Sequence, residues 1–370
     1  MKSLPLKEGF GIMLHWGASS VPAWAPVDNG SFHDILKAHG WAKCFTHSPY
    51  AEWYVNNYQT KGTPAYEYHM KHYGKSVTYE DFIREFLCKT SSYNPETWAD
   101  LIAQSGATYC ILVMKHMDGV LLWPSRHPHP AYPDFMVKED IPRGLFHALR
   151  KKNIHCGIYY SGWFDRLWNP KPILSFKDMF FGGSNSKAFN DYVWNHYKEI
   201  IDMYEPDVLW NDIGIPGGKL RQKIFDYYRM TIPRGVINDR WMKMGWLMQS
   251  GMLIPGVPLF AAHMGRNMAL NGKGNGISRK RYFDFLTCEY TIPSEKSSAA
   301  WEMVRSTGLS FGYNKAEDEK HQLTPSQVRE LINTCHKAGG NLLLNFGIPF
   351  DGEFTEYQTY LLKNINHKST

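Results

Sequence analysis

The stretch NPETWADLIAQSGATYCILVMKHMDG, residues 94–119, joins a helix to a strand and ends the strand in reactive side chains. Asn94 can cap a helix whose first residue is Pro95, where a missing N–H costs nothing. Trp98, Leu101, Ile102 and Ser105 fall on one face, and Gly106 offers a left-handed stop. The run TYCILVMK then stays apolar, as a strand buried on both faces must. It leads directly into Lys115, His116 and Asp118, an unlikely end for a purely structural strand.

The same unit recurs. Residues 142–152 carry Leu145, Phe146 and Leu149 at helical spacing, and HCGIYYSG follows. Val193, Tyr197, Ile200, Ile201 and Tyr204 line one face of a second helix; Pro206 ends it, and DVLWND follows. Thr324-Pro325-Ser326-Gln327 has the form of a capping box. Val328, Leu331, Ile332 and Cys335 face its core side, Gly339-Gly340 stops it, and NLLLNFG is the strand. Eight such runs appear: FGIMLHWG, TYCILVMKH, HCGIYYSG, DVLWND, GVINDR, FLTCEY, LSFGYN and NLLLNFG. Buried parallel strands alternating with helices predict an α/β fold, a somewhat irregular (β/α)8 TIM-like barrel spanning residues 1–370 as a single catalytic domain. A doubly wound sheet fits less well, because no GxGxxG loop follows the first strand.

Two connections are long. Residues 18–94 separate the first two strands, and 241–282, rich in Gly and Met, separate the fifth and sixth. The second has no clear helical period and is expected to be an irregular packed loop in place of a barrel helix. The alternative is an apolar rim for an aglycone or a neighbouring subunit.

Composition narrows the function. The 370 residues are 43% hydrophobic, with 13 Trp and 22 Tyr, enough for a large core. The formal charge of +6 is scattered, and its densest clusters, Arg150-Lys151-Lys152 and Arg279-Lys280-Arg281, are too short for a nucleic-acid arm. Six cysteines (44, 88, 110, 156, 288 and 335) form no CxxC pair and read as free thiols of a reducing compartment. No signal peptide fits the N-terminus and no apolar run approaches a membrane span, so a cytoplasmic protein without membrane partners is expected. His127 and His129 of RHPHP lack a carboxylate or Cys at ligand spacing, so no metal and no cofactor is expected.

In a (β/α)8 barrel the active site lies at the carboxyl ends of the strands. Those ends carry His15-Trp16, His116 with Asp118, Tyr159-Tyr160, Trp210 with Asp212, Asp239-Arg240, Glu289 and Phe311. Asp212 shares the inward parity of Trp210, and Glu289 ends the strand two places further round. Two carboxylates across an aromatic-walled pocket suit glycoside hydrolysis, retaining if about 5–5.5 Å apart and inverting if about 6.5–9.5 Å.

These residues bring a family into view. FGIMLHWGASSVPAW, SPYAEWY, KHMDGVLLWPS, GIYYSG, YEPDVLWND, INDRW, WEMVRSTGLSFGYN and GGNLLLNFGIPFDG resemble, in order, the motifs of the retaining α-L-fucosidases of glycoside hydrolase family 29. The resemblance implies an exo-glycosidase releasing terminal α-L-fucose from oligosaccharides or glycoconjugates by double displacement. It places the nucleophile on Asp212 and the acid/base on Glu289, with Glu302 of WEMVRS as competitor. Sugar contacts fall on His15, Glu52, Trp53, His116, Tyr159, Trp210 and Arg240, and Phe311 meets the fucose methyl group. Where the family reads KHHDGF this chain reads KHMDGV, so Met117 stands in place of a sugar-binding histidine and could shift sugar specificity. No β-sandwich is expected after the barrel, which leaves room for homo-oligomer contacts in its place. The rival readings are a related glycosidase of another sugar and a catalytically silent carbohydrate-binding barrel.

Overall fold

Eight parallel strands carry the fold: β1 (Gly11–His15), β2 (Tyr109–Lys115), β3 (His155–Ser161), β4 (Val208–Asp212), β5 (Val236–Ile237), β6 (Phe285–Glu289), β7 (Ala300–Ser306) and β8 (Asn341–Gly347). They come from a computed structural model that describes residues 9–270, 283–293 and 300–366. Their order round the sheet is β5-β4-β3-β2-β1-β8-β7-β6, every neighbouring pair parallel. The gap between β5 and β6 is spanned just before β6, where Asp284 N donates to Ile237 O at 2.8 Å and Asp284 Oδ2 accepts from Ile237 N at 2.9 Å. The result is the expected barrel, nearly closed.

Nine of the helices matter here: α1 (Phe32–His39), α2 (Pro95–Gln104), α3 (Ile141–Lys151), α4 (Lys187–Tyr204), α5 (Leu220–Thr231), α6 (Trp246–Gly251), α7 (Val257–Leu270), α8 (Pro325–Lys337) and α9 (Glu356–Asn364). Helix α2 starts as its sequence dictates: Asn94 Oδ1 accepts from Glu96 N and Thr97 N, with Pro95 in the first turn. Trp98, Leu101 and Ile102 are buried against the barrel, and Trp98 Nε1 donates to Gly352 O at 2.8 Å. Helix α8 starts with the capping box read from Thr324 and Gln327.

Strand parity divides the core. Met13, Ile111, Val113, Tyr159, Val208, Trp210, Val304 and Leu343 fill the barrel interior. The alternate positions, among them Ile12, Leu14, Leu112, Ile158, Leu209 and Leu344, pack outward into the larger cluster beneath the helices. Two-sided burial explains why β2 and β8 read as unbroken apolar runs.

Two expectations need correction. The seventh strand is Ala300–Ser306, and LSFGYN is the loop after it. The true strand is disguised by Glu302, a fully buried carboxyl that accepts hydrogen bonds from Tyr109 Oη and Trp210 Nε1 inside the barrel. The segment 241–282 is largely helical within its described part, as α6 and α7, with a short ladder of Lys243–Met244 on Ile215–Pro216 before them. Its last residues and the Arg279-Lys280-Arg281 cluster lie outside the described residues. No described helix is long and apolar enough to cross a membrane.

Candidate active site

One side chain organises the mouth of the barrel. Arg240, three residues past β5, donates from Nη1 to Asp212 Oδ1 and from Nη2 to Glu289 Oε2, each at 3.1 Å. Its Nε donates to Thr287 Oγ1 at 3.0 Å, and Thr287 in turn donates to Asp239 from both its backbone N and its hydroxyl. The guanidinium lies over the Trp210 ring, 5.2 Å from its centroid. A planar fork held at every edge fixes both carboxylates relative to each other. Arg240→Lys leaves a point charge that can reach only one of them, and kcat/KM is expected to fall roughly 10- to 100-fold, the worth of one charge-assisted hydrogen bond. Steady-state kinetics check this; an unchanged kcat/KM would sink the bridging role.

Each carboxylate has a second partner. Tyr159 Oη donates to Asp212 Oδ2 at 2.8 Å, and Tyr50 Oη donates to Glu289 Oε1 at 2.6 Å. Glu289 is the more open, its side chain 30% exposed against 17% for Asp212. The next residue in each case has left-handed backbone, Ile213 at φ +62° and Tyr290 at φ +55°. Behind Asp212, Asn211 is clamped: its Nδ2 donates to Gly214 O and Arg240 O, and its Oδ1 accepts from Tyr197 Oη. Gly162 passes so close that a Cβ there would sit 2.3 Å from Asn211 Oδ1.

Rings complete the wall. His15 and His116 lie 4.8 Å apart, His116 stacks on Tyr159 at 5.8 Å, and Tyr159 stacks on Trp210 at 5.2 Å. Burial lowers both histidines, His116 with help from Lys115 to about 3, so neutral imidazoles face the pocket. On the other side Phe311 packs edge-on against Tyr50 and Tyr290. Glu52 is buried, its carboxyl raised by burial to about 7, and its Oε2 accepts from Gly312 N at 2.7 Å. It therefore pins the loop that carries Phe311.

The structure thus gathers Asp212, Glu289, His15, His116, Tyr159, Trp210 and Arg240, with Glu52 and Phe311 forming the opposite wall. Trp53 and Met117 stand apart from this hydrogen-bonded cluster. Trp53 is half-buried against Phe45 and Phe164, and Met117 is fully buried in the outer apolar cluster. Asp118 accepts from Tyr79 Oη and Val120 N, a support behind the wall. His129 packs against Trp168 and Tyr132. Tyr50 was missed from sequence, although SPYAEWY contains it; 239 residues separate it from Glu289, and nothing local announces the bond.

Glu302 does not reach this mouth. It lies beneath Trp210, and burial raises its carboxyl from 4.5 to about 7, opposed by its bonds from Tyr109 and Trp210. A carboxyl raised on folding favours the folded state while protonated. That contribution is complete below the unfolded value near 4.5 and is lost as pH rises through about 7. Wild-type stability should therefore fall relative to Glu302→Gln by on the order of 2–3 kcal/mol between pH 4.5 and 8. Urea midpoints across that range test it, and a pH-independent difference would contradict the assignment.

The residues 6–367 match the family model described as Alpha-L-fucosidase. The chain belongs to the α-L-fucosidase family. A solved α-L-fucosidase is 35% identical and superposes with a TM-score of 0.79, covering 97% of this chain and 72% of its own. The Thermotoga maritima α-fucosidase in complex with a mechanism-based inhibitor is 34% identical, with a TM-score of 0.75 over 98% of this chain and 72% of that one. The tissue α-L-fucosidase of Macaca fascicularis is 27% identical over 93% of this chain. The chain spans 62% of that relative's length.

Proposed function

We propose that this member of the α-L-fucosidase family is a retaining exo-glycosidase that releases terminal α-L-fucose from oligosaccharides or glycoconjugates. The observation that carries the reading is the single guanidinium of Arg240 joining Asp212 and Glu289 at the barrel mouth. Such a bridge is compatible with the about 5–5.5 Å separation that double displacement requires. Asp212 attacks the anomeric carbon while Glu289 protonates the departing glycosidic oxygen. Water then enters along the path of the leaving group, gives its proton to Glu289 and releases fucose with its configuration retained. The likeness to a protein solved with a mechanism-based inhibitor supports the same chemistry.

Met117 sits in the outer apolar cluster, so recognition of the sugar hydroxyls falls to His15, His116, Tyr159 and Arg240 in this reading. Aromatic faces at Trp210 and Phe311 suit the apolar side of a 6-deoxy sugar. The barrel acts as one catalytic domain without cofactor or metal. A cytoplasmic site of action is part of the proposal, supported by the buried thiols of Cys44, Cys110, Cys156 and Cys335.

The test is hydrolysis of p-nitrophenyl α-L-fucoside beside a panel of other aryl glycosides, with the first-formed anomer followed by proton NMR. α-L-Fucose appearing first supports double displacement. β-L-Fucose appearing first would mean inversion, turnover of another glycoside alone would mean a different sugar, and binding without turnover would mean a silent barrel.

A further inference from the structure

The described surface carries nine strongly exposed large apolar side chains, and seven of them fall between Trp246 and Met264. Trp246 and Leu247 are each 70% exposed, Leu259 79% and Phe260 68%. Their direction is fixed by what the segment does on its other side. Trp41 Nε1 donates to Ala262 O at 2.9 Å, and Arg266 donates to Leu36 O and Lys37 O at 2.9 and 2.6 Å. Ala269 and Leu270 pack on the small cluster of Ile35, Leu36 and Cys44. Helix α7 is therefore docked on α1, and Leu259, Phe260 and Met264 form its outward stripe, although the helix buries no residue of its own. A soluble surface rarely leaves such a patch uncovered.

We infer that the α6–α7 face is a self-association surface through which two copies of this chain pair about a twofold axis. Two observations choose a second copy as the occupant. Residues 246–264 contain no Lys, Arg, Asp or Glu. A charge-free patch can meet itself without repulsion, and depletion of charge marks the core of a protein interface. A helix lying on an anionic membrane surface instead needs Lys and Arg on its polar face, and this stretch has neither. The second observation is area. Seven large side chains exposed to this degree offer on the order of 800 Å², the share that one partner brings to a standard interface. Helix α7 lies against α1, in the connection that leaves the carboxyl end of β1, so pairing places a neighbour on the catalytic side of the barrel.

Analytical ultracentrifugation of the full chain tests the pairing. A mass near twice the monomer's 42.8 kDa is expected at micromolar concentrations. The double variant Leu259→Lys, Phe260→Glu should sediment as a monomer with an unchanged near-ultraviolet circular dichroism spectrum and unfolding midpoint. Wild type that stays monomeric throughout, or a double variant that still pairs, overturns the proposal. So does monomeric wild type that pellets with phosphatidylserine vesicles, which would make a membrane the occupant. If the double variant loses its fold, the single surface change Leu259→Ser decides: it should weaken pairing at least roughly tenfold with the fold intact, and unchanged pairing overturns the proposal.

Discussion

Asp212→Ala is expected to lower kcat on p-nitrophenyl α-L-fucoside by at least roughly 10³-fold, and added azide should restore part of the rate. The physical basis is that Asp212 Oδ1 and Oδ2 are already oriented by Arg240 and Tyr159. Alanine removes the attacking atom and leaves a space beside those donors that a small anion can enter. Azide then attacks the face opposite the leaving group, and β-L-fucosyl azide accumulates. Glu289 remains on Arg240, so the guanidinium is not left unpaired and the fold should hold. Residual activity within tenfold of wild type, or no azide product, would remove Asp212 from the nucleophile's place.

The second large effect separates Glu289 from Glu302. An acid catalyst matters in proportion to how badly the leaving group needs a proton. Glu289→Ala should cost about 10²–10⁴-fold on a natural disaccharide. The cost should be far smaller on a dinitrophenyl fucoside, whose leaving group departs unprotonated. Glu302→Ala should instead slow both substrates to a similar extent, because Glu302 touches Trp210 from below. The same leaving-group dependence at Glu302 would exchange the two assignments.

Much of this was legible in the sequence where local rules govern. The cap at Asn94, the stop at Gly106 and the two-sided burial of β2 follow from neighbouring residues alone, and they fix the repeating unit. The parity that turns Trp210 into the barrel carries over to Asp212, because the strand is regular to its end. Legibility failed where distant partners decide. AWEMVRS looks too polar for a buried strand until Tyr109 and Trp210 satisfy Glu302 across the barrel. LSFGYN looks like a strand because its aromatic residues are apolar, yet its backbone is held by Glu317, which accepts from Leu309 N and Ser310 N. Helix α7 shows no amphipathic period because its outward stripe is apolar while Arg266 sits on the side held against α1. Tyr50 and Arg240 converge on Glu289 only after the barrel has closed.

Ile213 and Tyr290, the left-handed residues just after the two carboxylates, bear on how the molecule can be hardened against heat. A β-branched side chain at positive φ is disfavoured, and a residue held there costs on the order of 1–3 kcal/mol. Glycine at position 213 would relieve that penalty but give up the packing of Ile213 on the core cluster, so the two effects largely offset. The same change frees the turn that aims Asp212. Turnover rather than thermotolerance therefore sets this residue, and an Ile213→Gly variant should melt within a few degrees of wild type while turning over more slowly.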